Sequence, residues 1–167
     1  GIDARIMAVA VLIQMTWPGS PGIYYADEAG QVGWTDPDSR RTYPWGNENR
    51  ELIAYHKAVI SLRKKIHCIK TGSIKRLDCG KGYIAYGRFD REDCAAVLVN
   101  CSDEALELSV PVWEIGVRTG DVMTCKFRFE DGGFSAEECK STVKYGRLFV
   151  TMPPKSAKVY AFKFIRE

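Results

Sequence analysis

Between residues 27 and 49 the chain gathers side chains able to do chemistry: Asp27, Glu28, Asp36, Asp38, Arg40 and Arg41, with Trp34 and Trp45, two of its four tryptophans. Asp27 and Glu28 have the types of an acid–base pair, but adjacent residues at a strand end point apart, which favours structural support. Asp36-x-Asp38 has the opening of a calcium loop, yet Arg40 stands where the next oxygen ligand belongs and no glycine occupies the sixth position. Asp36-Pro37 also suits an ordinary turn, and Arg40 or Arg41 paired with Asp27 or Glu28 would hold the loop. No metal site is legible elsewhere. The two histidines, His56 and His67, and the six cysteines, Cys68, Cys79, Cys94, Cys101, Cys125 and Cys139, show no C-x-x-C spacing.

Elements that position this loop follow from periodicity. Asp3 caps a helix from about Ala4 to Met15 whose residues Ile6, Met7, Val9, Val11, Leu12 and Ile13 leave almost no polar face, so burial nearly all round is expected. Pro18-Gly19-Ser20-Pro21 ends it, and Gly22 to Tyr25 reads as a short apolar strand. The stretch Asp27 to Asn49 has no period and carries many turn formers; a loop this long is usually functional. Asn49 caps a second helix, in which Leu52, Tyr55, Val59, Leu62 and Ile66 form one apolar face.

Near Thr71 the period changes to two. Seven strands are expected, at 73–77, 83–89, 95–100, 105–110, 123–129, 142–151 and 158–164, separated by turns such as Asp131-Gly132-Gly133 and Tyr145-Gly146. Alternation of the kind seen from Lys158 to Phe164 marks half-buried antiparallel strands, and hence a β-sandwich over residues 71–167. Tyr83, Tyr86, Tyr145, Tyr160 and Phe162 are assigned to its core rather than to a carbohydrate-stacking strip.

Composition bounds the rest. With 167 residues, 46% hydrophobic and 27% charged, the chain is an ordinary globular one, not disordered, collagenous or coiled-coil. A net charge of +3, with one basic cluster at Arg63-Lys64-Lys65, gives no nucleic-acid footprint. The apolar run from Ile6 to Trp17 is too short to span a bilayer, so no membrane partner is expected. The cysteines are read as reduced thiols, which tilts the expected location towards the cytoplasm. Because the chain opens with Gly1 rather than Met, it reads as an excised piece.

The stretch Pro18-Gly-Ser-Pro-Gly-Ile-Tyr-Tyr-Ala-Asp-Glu28, followed by Asp36-Pro-Asp-Ser-Arg-Arg-Thr-Tyr-Pro-Trp45, resembles the end of the catalytic barrel in the α-amylase family of glycoside hydrolases. It is most similar to the neopullulanase, maltogenic amylase and cyclomaltodextrinase branch. Leu62-Arg-Lys-Lys65, Gly72-Ser73, Ile84-Ala-Tyr86, Asn100-Cys-Ser-Asp-Glu104 and Met152-Pro-Pro-Lys-Ser-Ala157 continue the resemblance through nearly the whole chain.

The resemblance implies an α+β chain: the last elements of a (β/α)8 barrel over residues 1–70, with Ile23 to Tyr25 as the eighth strand, followed by an all-β antiparallel sandwich. It implies that the family's catalytic carboxylates lie upstream of Gly1, so that no catalytic residue is present and the chain alone is inactive; no cofactor is implied. It also implies that Asp36 and Arg40 contact sugar hydroxyls of an α-glucan or maltodextrin, a carboxylate accepting from vicinal hydroxyls and a guanidinium donating in a planar fork, with Trp34 or Trp45 as a stacking face. Ala26 departs from the family's usual glycine and crowds the strand end. The competing reading is a non-catalytic starch- or maltodextrin-binding sandwich, which exposure of Trp113 or the tyrosines would favour. Apolar elements left without barrel neighbours imply a homo-oligomer, or disorder of residues 1 to about 45.

Overall fold

The computed structural model describes residues 3–164. Helix α1 (Ala4–Thr16) starts at Asp3, whose carboxylate accepts the Arg5 N–H. No basic residue lies in its last turn. Its final carbonyls are instead met by two distant arginines: Arg63 donates to Met15 O at 2.8 Å and Gly19 O at 2.6 Å, and the fully buried Arg88 donates to Thr16 O at 2.7 Å and Gly72 O at 2.6 Å. Each guanidinium thus supplies donors and positive charge where a helix end needs both.

Burial of α1 is one-sided, not all round. Ala8, Val9, Leu12, Met15 and Thr16 face the interior while Met7 and Trp17 are exposed, because only α2 and the sheet pack against it among the described residues. The expected strand at Ile23–Tyr25 is absent as well. These residues lie open, since an apolar run becomes a strand only when another strand accepts its ladder.

Helix α2 (Arg50–Lys65) is capped by Asn49, which accepts the Leu52 N–H at 3.0 Å, and buries Tyr55, Val59 and Leu62 as its spacing requires. Helix α3 (His67–Thr71) was not expected: its cap comes from Asp93, whose carboxylate accepts the His67 and Cys68 N–H groups at 3.0 and 2.7 Å. Gly72 then lets the chain turn sharply, because a Cβ there would lie 2.6 Å from Cys68 O and 2.7 Å from Phe89 O.

The strands are β1 (Ser73–Gly80), β2 (Tyr83–Phe89), β3 (Asp93–Asn100), β4 (Leu106–Val110), β5 (Val122–Glu130), β6 (Gly133–Ser135), β7 (Cys139–Thr142), β8 (Leu148–Met152) and β9 (Ser156–Lys163). The large antiparallel sheet runs β1-β2-β3-β9-β5, with β6 and β7 both pairing β5; β4 and β8 form a separate pair. The strand expected at 142–151 is therefore two, β7 and β8, divided by the Tyr145-Gly146 turn.

The large sheet is covered on both faces. Ala95, Val97 and Val99 of β3 pack into a core with α1 and α2, whereas Cys94, Ala96 and Leu98 pack into a second core beneath β4 and β8. Every residue of β3 is buried. The half-buried alternation expected of β9 is corrected in the same way: Ala157, Val159 and Ala161 face the helices and Tyr160 faces the β4–β8 pair. In β5 the register to β9 slips between Cys125 and Phe127, leaving Lys126 as an extra residue. The bulge turns Met123 and Cys125 to one core and Phe127 and Phe129 to the other.

Candidate functional site

The segment from Trp17 to Asn49 joins the two long helices over the surface, with one short 3₁₀ turn at Asp38–Arg40. Asp38 organises it. One carboxylate oxygen accepts the Trp34 N–H at 2.9 Å and the other accepts Arg41 Nε at 2.9 Å. The Arg41 guanidinium, followed by the Trp34 N–H, holds the Asp38 carboxyl below its ordinary value. The Arg41 carbonyl in turn accepts from the Tyr25 hydroxyl at 2.9 Å and from Gln31 Nε2 at 3.1 Å, tying the two ends of the loop together.

Asp36 and Arg40 meet directly, Arg40 Nε lying 2.7 Å from Asp36 Oδ1, and both side chains are more than half exposed. The alternative pairings with Asp27 or Glu28 do not form: the arginines take Asp36 and Asp38. The same loop exposes aromatic rings. Trp34 is 86% and Trp45 80% exposed, and Tyr43 lies against Trp45 with ring centroids 4.5 Å apart. An exposed fork–carboxylate pair can hold a neutral, hydroxyl-bearing ligand by charge-assisted hydrogen bonds, and exposed flat rings can add stacking.

Two acceptors in this loop are left over. Glu28 Oε2 and Gln31 Oε1 are buried with no hydrogen-bond partner. Ala26, at the base of the loop, is buried with φ at +71°, a left-handed conformation in which its Cβ is crowded. No group of three or more His, Cys, Asp or Glu able to hold a metal ion occurs among the described residues.

On the other half of the molecule Tyr86 and Tyr160 are buried, as expected, but Tyr145 stands in solvent at a turn, and Trp113 is exposed. The sequence carried the signal: Tyr145-Gly146 is a turn pair, and a turn residue is not a core residue. Asn100, within one of the resembling motifs, is fully buried and structural: its amide donates to Glu104 O, Met152 O and Pro153 O at 2.8, 3.1 and 2.9 Å, joining the end of β3 to the end of β8.

The chain is similar to an amylopullulanase of Thermoanaerobacter thermohydrosulfuricus, 34% identical over 150 residues, covering 81% of this chain and 10% of the relative. It is also similar to a cyclomaltodextrinase of Geobacillus thermopakistaniensis, 33% identical over 130 residues, covering 72% of this chain and 22% of the relative. The Nostoc punctiforme debranching enzyme shares its fold, with a TM-score of 0.75 at 24% identity over 96% of this chain and 32% of that one. No family model matches.

The mostly antiparallel sheet with few helices matches the C-terminal sandwich of amylase-family enzymes. The chain belongs to the α-amylase family, as a C-terminal part of it. It spans between 10% and 22% of the length of these two curated relatives.

Proposed function

We propose that this chain works as the C-terminal part of a retaining glycosidase acting on α-glucans or maltodextrins. In this reading α1, α2 and the loop between them complete the rim of the catalytic barrel, the sandwich braces α2, and the chain by itself is catalytically silent. The observation that carries the reading is the exposed Asp36–Arg40 pair in a loop that also exposes Trp34 and Trp45, in a chain similar to enzymes of that family. Asp36 and Arg40 contact sugar hydroxyls; neither does bond-breaking chemistry. A retaining mechanism needs a nucleophilic carboxylate and a protonated carboxylic acid about 5 to 5.5 Å apart. The Arg41 guanidinium and the Trp34 N–H hold the Asp38 carboxyl below its ordinary value, which disfavours proton donation from it.

The exposed side of α1, with Met7 and Trp17, and the open run Ile23–Tyr25 support packing against further barrel elements, and association of the isolated chain with itself when they are missing. The test is a reducing-sugar assay of the purified chain on soluble starch, with Arg40→Ala made in the enzyme that carries this chain. No turnover by the chain alone, and a KM for maltodextrin raised about tenfold in Arg40→Ala, are expected from loss of a charge-assisted hydrogen bond. Turnover by the chain alone, or an unchanged KM, refutes the reading.

A further inference from the structure

On the face of the large sheet opposite the helices, Trp113 stands in the one-turn helix Val112–Ile115 and Tyr145 at the tip of the turn Lys144–Arg147. The rings are 60% and 85% exposed and line one shallow cavity of about 510 Å³ together with Arg118, Thr119 and Gly146. Lys144 N–H donates to Arg147 O at 3.0 Å and Arg147 N–H to Lys144 O at 2.8 Å, with φ of +53° at Tyr145 and +69° at Gly146. Both central residues of this two-residue hairpin turn are left-handed, the geometry that prefers Asn-Gly. A bulky tyrosine is disfavoured there, and an outward-pointing ring gains no burial in return.

The frame beneath the rings is rigid. Trp113 N–H donates to Gly146 O at 3.0 Å, and Gly146 N–H donates to Thr119 Oγ1 at 2.7 Å. A Cβ on Gly146 would lie 3.0 Å from Trp113 Cβ, so the indole packs directly on the turn. Arg147 Nη1 anchors the same turn to Ser109 O at 2.7 Å. The backbone positions that carry the two rings are therefore tied to one another, and one ring is displayed at a conformational cost that folding does not require.

The chemistry of the cavity selects a ligand class. Flat rings stack on the C–H face of a pyranose, the exposed Arg118 side chain can donate to sugar hydroxyls, and the lining contains no carboxylate to attract a cation. We propose that Trp113 and Tyr145 form a carbohydrate-binding platform for an α-linked glucan chain, separate from the Asp36–Arg40 loop. The choice of α-glucan rests on the proposed function; the platform itself rests on the strained, exposed turn.

The experiment is NMR and calorimetric titration of the chain with maltoheptaose, with cellopentaose as the β-linked control. Maltoheptaose is expected to shift the Trp113 indole, Thr119 and Gly146 signals. Trp113→Ala and Tyr145→Ala are expected to weaken binding at least tenfold, with Tyr145→Phe leaving platform binding unchanged. Tyr145→Asn separates binding from structure: it relieves the turn, so the melting temperature rises while binding is lost. Platform shifts without shifts at residues 34–45 leave the platform standing and count against the loop reading. Shifts confined to residues 34–45, no binding of maltoheptaose, or full affinity in Tyr145→Asn overturns the platform; equal binding of cellopentaose overturns its assignment to α-glucans.

Discussion

The loop between α1 and α2 and the strand β3 solve opposite problems. In the loop, polar side chains find partners a few residues away: Asp36 with Arg40, Asp38 with Arg41 and with the Trp34 backbone. Its aromatic rings are left outside. In β3 the packing partners are distant in sequence, and Cys94 to Val99 are shared between two cores that flank the sheet. Local pairing leaves the loop free to vary without disturbing the strands, while two-sided burial makes β3 answerable to almost the whole chain. The chain enters the loop from an α1 end held in place by Arg63, which reaches Met15 O and Gly19 O, and by Arg88, which reaches Thr16 O.

The largest test of this contrast is Arg88→Met. The substitution keeps the bulk but strips buried carbonyls of Thr16 and Gly72 of their donor, so a loss of about 3 kcal/mol is expected in urea unfolding. A loss below 1 kcal/mol would mean that α1 does not depend on this junction. Next comes Ala26→Gly, which relieves a left-handed alanine and is expected to raise stability by about 0.5 kcal/mol, since the flexibility glycine adds to the unfolded chain offsets part of the gain.

Asp38→Ala removes the organiser of the loop. Because its partners are local and exposed, global stability should fall by less than about 0.5 kcal/mol, while hydrogen exchange quickens at Trp34 and Arg41 and not in β3. Faster exchange in β3 would show that the regions are coupled after all.

The smallest effect is a pH dependence. His67 Nδ1 lies 2.6 Å from Asp90 Oδ2, and that hydrogen bond raises the histidine above its ordinary value. Its contribution is complete below about pH 6.5 and is lost as pH rises through the raised folded value. An NMR titration should place the His67 midpoint above an ordinary histidine and return it in Asp90→Asn; an unchanged midpoint in that variant would remove the ion pair from the account.

Much of this was legible in the sequence, and the exceptions have physical causes. The caps Asp3 and Asn49 and the apolar face of α2 act within one turn of helix, so the residues alone reveal them. Helix α3 was hidden because its cap, Asp93, arrives from another element. The strand expected at Ile23–Tyr25 needs neighbours that its own residues cannot supply. The two-sided burial of β3 was readable in principle, since Cys94 to Val99 is an unbroken apolar run rather than an alternation. In the candidate site, Asp36 and Arg40 were singled out through the family resemblance, not by type and spacing, which suit an ordinary turn equally well. The role of Asp38 was not legible, because accepting the Trp34 N–H depends on how the backbone turns.

The extra residue at Lys126 has a consequence for how this protein can change over evolutionary time. Losing or gaining one residue in a strand ordinarily turns every later side chain inside out. Strand β5 already contains one such half-turn of phase, and it decides which compartment receives the aromatic rings. If the same residues paired without the bulge, Phe127 and Phe129 would turn away from Tyr55, whose ring lies 5.8 and 5.6 Å from theirs, and into the layer beneath the small sheet; deleting Lys126 instead straightens the strand and leaves both rings where they are. Loss of Lys126 should therefore be tolerated, whereas a deletion at Met123 or Cys125 would draw Lys126 into the phase of the second core.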